Sequence, residues 1–132
     1  MIPTSQIDTA IYQRLIGDAA LTAVVPVSSI GSHLPQDGPF PHIRFRFEDE
    51  DLGIKDEGAL SCTLIIDIWS DYKGEQQVRQ VRDLVYNALQ DTPLTIAGGD
   101  CFGTTFQGFV TFLENDGVVH HGVANFNLLY GE

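Results

Sequence analysis

Hydrophobic positions along the chain switch between helical and strand spacing three times, and each switch predicts new elements. Ile7, Ile11 and Leu15 recur at helical spacing with Ala10 beside them, behind Thr4 and Ser5 as candidate caps. Gly17 is a natural stop, and Asp18 can cap a second short helical turn from Ala19 to Val24, ended by Pro26. Residues 27–34 predict a short strand, followed by the turn-rich connector Pro35-Gln36-Asp37-Gly38-Pro39. The period then drops to two. Ile43, Phe45 and Phe47 point one way, and His42, Arg44, Arg46 and Glu48 the other. After an acidic stretch expected to be a loop, the alternation resumes. Leu60, Cys62, Leu64, Ile66 and Ile68 form one face, while Ser61, Thr63, Ile65, Asp67 and Trp69 form the other.

Helical spacing returns from Glu75 to Gln90, where Val78, Val81, Val85, Ala88 and Leu89 make an apolar stripe with Leu84 on its flank. Glu75 suits the positive end of this helix and can pair with Arg79 one turn on. Gly98-Gly99-Asp100 reads as a turn. Phe102, Thr104, Phe106, Val110 and Phe112 then read as one strand face, interrupted at Gly108 by a bulge or bend. Asn115-Asp116-Gly117 is a hairpin signal. The last strand sets Ala124, Phe126, Leu128 and Tyr130 against Val123, Asn125 and Asn127. A sheet with one fully apolar face wants helices on that side. The expected fold is therefore α+β: a mainly antiparallel four- or five-stranded sheet with two helices packed on one face. No repeat or linker interrupts 1–132, which predicts one domain.

Composition narrows the function. A hydrophobic content of 43% supports a real core. The formal net charge of −11 disfavours binding to nucleic acid or to anionic membranes. The N-terminus lacks the basic segment and apolar core of a signal peptide, and no apolar run approaches the roughly 20 residues of a membrane span. The reading is a soluble protein made inside the cell. Cys62 and Cys101 suggest no disulfide framework.

Few residues invite chemistry. Glu48, Asp49, Glu50 and Asp51, with Asp56 and Glu57, could gather a divalent cation, but the spacing lacks the glycine and ligand alternation of a calcium loop. The bland reading is a solvated loop, which the sequence favours. His120 and His121 are adjacent in a predicted strand and face opposite sides, so with His33 and His42 they offer no zinc set. Ser61, Ser70 and Cys101 lack a nucleophile motif, and Gly98-Gly99-Asp100 lacks the lysine and helix start of a phosphate loop. Arg44 and Arg46 share a face and can pair either with Asp67 in the sheet or with a neighbour's acidic segment. Trp69 is core by default and an interface anchor if exposed.

The order of elements and several local strings resemble the phage tail-completion family, which includes tail terminators, tail-to-head joining proteins and the tail terminators of gene transfer agents. The strings are Ile11-Tyr12-Gln13-Arg14-Leu15 with Gly17-Asp18-Ala19-Ala20-Leu21, then Phe40-Pro41-His42-Ile43, the run from Leu64 to Asp71 leading into Gly74 and Val78, and the closing run from Gly122 to Leu128. The resemblance implies a non-enzymatic virion protein without cofactor or catalytic residues. It implies a homo-oligomeric ring, commonly a hexamer, at the head-proximal end of a phage or prophage tail. Its partners would be other copies of itself, the tail tube protein and a head-side connector or stopper protein. DNA would pass through a channel without specific binding, no membrane would be involved, and synthesis would occur in the host cytoplasm.

On that reading the candidate residues form an interface: Glu48, Asp49, Glu50, Asp51, Asp56 and Glu57, with Leu52 and Ile54 as apolar contacts. Arg44, Arg46, Trp69, Asn115 and Asp116 complete the set. Acidic residues near a channel would also repel the DNA backbone. The competing readings are a small metal-dependent enzyme using the acidic cluster, and a generic α+β interaction module.

Overall fold

Four long antiparallel strands carry the fold, and two helices cover one side of them. The computed structural model describes residues 4–32, 39–55, 59–90, 93–95 and 101–130. In chain order the elements are α1 (Thr4–Ile16), α2 (Ala19–Thr22), a 3-10 turn (Val27–Ser29), β1 (Ile30–Gly31), β2 (His42–Lys55), β3 (Ala59–Ser70), α3 (Gln76–Leu89), β4 (Leu94–Thr95), β5 (Cys101–Leu113) and β6 (His120–Tyr130). The strands lie in the order β1-β2-β3-β6-β5-β4. Only β1 pairs in parallel, so the sheet is mixed, with two-residue strands at both edges.

The helices form where the spacing predicts, with one shift. Helix α1 already includes Thr4 and Ser5, the residues expected to precede it. Asp18 caps α2, its Oδ1 accepting from Leu21 N at 2.9 Å. In α3 the whole predicted stripe is buried, and Leu84 packs on its flank. Arg14 of α1 donates to Ala88 O at 3.2 Å and to Pro93 O at 2.9 Å. A guanidinium on the last carbonyls of α3 satisfies acceptors the helix leaves open and ties the two helices together.

The core lies between this helical layer and one sheet face. Ile43 and Phe45 of β2, Leu64, Ile66 and Ile68 of β3, and Ala124, Phe126 and Leu128 of β6 are buried there against Ile11, Leu15, Val78, Val81 and Val85. Gly122 lets α3 approach closely, since a Cβ built at that position would lie 2.5 Å from Val78 Cγ1 and 2.9 Å from the Phe109 ring.

Two sequence expectations give way. The acidic stretch is not a loop. The backbone of β2 stays extended through Lys55 and pairs Glu48 with Thr63 and Asp51 with Ser61, with irregularities on either side of Asp51. The second correction concerns β5. Phe106 pairs with Phe126, but Gly108 pairs with Asn125, so one extra residue enters β5 there. Side chains alternate with period two, and one inserted residue therefore exchanges the faces. Beyond the bulge Phe109 packs on the core, while Val110 and Phe112 turn to the opposite face and are 59% and 46% exposed.

Of the strand expected over residues 27–34, the described residues 27–32 contain β1, with 33 and 34 outside the described part. The connector at 35–38, the acidic residues Asp56 and Glu57, and the turn at 98–100 lie outside the described residues.

Candidate functional site

The distinctive chemistry lies on the sheet face away from the helices. Directly paired residues share a face, so the register defines rows running across the strands. One row is His42, Trp69, His121 and Phe112. The next is Arg44, Asp67, Val123 and Val110. The first row is a stack of rings, with centroid separations of 4.9 Å from His42 to Trp69, 4.5 Å from Trp69 to His121 and 4.7 Å from His121 to Phe112. Phe40 extends it, 5.1 Å from His42, and the Arg44 guanidinium sits 5.1 Å from the Trp69 ring centre.

These neighbours bury Trp69 to 5% exposure, although no described helix packs over it. Trp69 thus takes the core reading, and its side chain is not the exposed anchor that the interface reading needs. The structure also places Arg44 and Arg46 beside Asp67. Arg46 Nε donates to Asp67 Oδ2 at 2.9 Å, and Arg44 Nη2 lies 3.7 Å from the same oxygen. The in-sheet pairing therefore exists. Arg46 keeps 42% of its side chain exposed beside that pairing.

Asp67 itself is fully buried. Burial alone would push its carboxyl up. Hydrogen bonds from His121 and Arg46, with the charge of both, outweigh it and hold the carboxyl below its ordinary range. His121 spans two acids: Nε2 lies 2.8 Å from Asp67 Oδ1 and Nδ1 2.8 Å from Glu114 Oε1. Both contacts are hydrogen bonds when both ring nitrogens carry protons. His42 sits in the opposite situation. Burial lowers its proton affinity, the Pro39 carbonyl opposes this, and Arg44 and His121 reinforce the lowering.

At the β5–β6 turn, Asp116 Oδ1 accepts from Val118 N at 2.9 Å and Val119 N at 3.0 Å. Those two amides hold the Asp116 carboxyl below its usual range. Gly117 takes a positive φ of 74° there, which explains the glycine in the hairpin signal. Asn115 is exposed beside it. The backbone of residues 48–55 is described as strand, but the side chains of Glu48, Asp49, Glu50, Asp51, Leu52 and Ile54 lie outside the described part.

Val110 and Phe112 are the surface residues that pattern reading missed. The available signal was Gly108: counting one extra residue there places both on the outer face. Among the described residues, no group of three His, Cys, Asp or Glu side chains is arranged to hold a metal ion. No described helix is long and apolar enough to cross a membrane.

Comparison with known proteins adds the family. A chain in the virion of a native gene transfer agent particle has a similar fold, with TM-score 0.82 and 17% identity, over 98% of this chain and 97% of that one. A second solved chain aligns at TM-score 0.68 and 10% identity, over 100% of this chain and 98% of its own. No curated protein matches the sequence. The family model for tail completion protein gp17 matches residues 9–131. That match runs from the first helix into the last residues, and on it the chain belongs to the tail completion protein gp17 family: it is a structural protein of phage tails and not an enzyme.

Proposed function

We propose that this chain is a single-domain virion protein that closes the head-proximal end of a phage tail tube as a homo-oligomeric ring, commonly of six copies. The ring offers a joining surface to a head-side connector and leaves a channel through which DNA passes. The observation that carries the reading is the near end-to-end likeness to a chain of a gene transfer agent virion, TM-score 0.82 over 98% and 97% of the two chains, together with the family match.

The chemistry of the protomer supports it. A formal net charge of −11 suits a wall that DNA must slide past without adhering. Ring contacts are head-to-tail, so an acidic segment on one copy meets a different patch on the next. The segment of residues 48–57 is the candidate for one side of that contact, and the Asn115–Asp116 turn is the candidate for a contact with another ring.

Electron microscopy of particles from a phage lacking this gene tests the reading. Headless tails of uncontrolled length support capping. Tails of normal length without heads move the role to joining. Normal infectious particles overturn both.

A further inference from the structure

Two large apolar side chains, Val110 and Phe112, lie on a sheet face that no described helix covers. Beside them the face is electrically balanced. The Arg44 and Arg46 guanidiniums stand against the Asp67 and Glu114 carboxylates before His121 is counted. In a chain of formal net charge −11, such a face is far less negative than the average surface. It can therefore take an acidic, partly apolar occupant that the rest of the molecule would repel.

The chain contains such an occupant. Residues 47–55 read Phe-Glu-Asp-Glu-Asp-Leu-Gly-Ile-Lys: four consecutive carboxylates, then Leu52 and Ile54. Its dimensions fit. Arg44 and Val110 are separated by three inter-strand spacings, roughly 14 Å at about 4.8 Å each. An extended chain covers that distance in about four residues. A segment laid across the strands can thus set its acids over Arg44 and Arg46 and its apolar residues over Val110 and Phe112.

The same molecule cannot supply it. Glu48 pairs with Thr63 and Asp51 with Ser61, towards one end of the sheet, whereas Phe112 is level with Trp69 and His42 at the other. We propose that the outer face centred on Val110 and Phe112 receives residues 48–54 of a second copy of this chain. This rests on the ring reading and names its protomer contact. The contact is heterologous, so repetition gives a ring where the rotation closes.

The test places the photoreactive residue benzoylphenylalanine at position 112, where Phe112 is half exposed. Particles carrying the protein are irradiated, digested with trypsin and analysed by mass spectrometry. Cleavage after Arg46 and Lys55 releases the acidic segment as one peptide. The expected product is a covalent dimer of this chain, cross-linked through residues 47–55. Adducts to another protein, adducts to another segment, or no adduct in intact particles would overturn the contact. Absence of the unaltered protein from particles would overturn the ring reading itself. A second variant combines Val110→Thr with Phe112→Ser. The purified variant should still unfold in one cooperative transition, its melting temperature lowered only by the lost Phe112–His121 contact, while its incorporation into particles falls at least tenfold; undiminished incorporation would sink the proposal.

Discussion

His121 Nε2 lies 2.8 Å from Asp67 Oδ1, joining β6 to the buried centre of β3. Asp67 also takes Arg46 Nε at 2.9 Å, so one carboxylate holds side chains from both neighbouring strands. Removing it strands their donors. Asp67→Ala should cost about 3 kcal/mol, the low end for breaking a buried pair, because the partly exposed Arg46 can turn to water. Urea unfolding followed by circular dichroism measures it; a loss under about 1 kcal/mol would show that the carboxylate is not the hub.

Acid should weaken the fold in two steps. The folded His42 ring binds its proton less readily than the ordinary 6.5, so the unfolded chain takes up that proton first. Its contribution is complete above pH 6.5 and is lost as pH falls from there through the lowered folded value. Asp67 adds a second step. Its carboxyl is held below the ordinary 3.8, so its stability is present above 3.8 and disappears as pH falls through the folded value. Thermal melts between pH 8 and 3 should show both. His42→Gln should flatten the upper step and leave the lower one; an unchanged upper step would reject the assignment.

Gly122 marks the tightest approach of α3 to the sheet. Gly122→Ala forces its methyl onto Val78 and Phe109, which should cost about 1–3 kcal/mol as overpacking. Val78→Ala, destabilising alone, should recover part of that loss in the double variant. Strict additivity in a double-mutant cycle would mean that the steric account is wrong.

Asp18 offers a smaller check on local structure. Asp18→Ala removes the acceptor for Leu21 N and should cost about 1 kcal/mol, whereas Asp18→Asn should restore most of it. Equal melting temperatures for Asn and Ala variants would argue that the cap contributes little.

Period alone revealed the helical layer. The α3 stripe and the core faces of β2, β3 and β6 follow from side-chain direction, which pattern reads directly. Pattern flagged the bulge at Gly108 but left Val110 and Phe112 on the wrong face, because the extra residue is counted against a partner strand that is invisible in one strand. It failed on the acidic stretch for a related reason. Four consecutive charges look like a loop until a facing strand pairs with their backbone. The candidate site was legible in its charges, since Arg44, Arg46 and Asp67 fall on one face by counting. Its Asp67–His121 and Glu114–His121 bonds span 54 and 7 residues and depend on how β6 registers against its neighbours.

The ring stack gives this molecule an internal optical probe. Trp69 is the sole tryptophan, and it is sandwiched between two imidazoles. A protonated imidazole against an indole quenches its emission, while a neutral one does so less. The light emitted by one residue therefore reports whether both rings still flank it, and with that whether strands β2, β3 and β6 are still aligned.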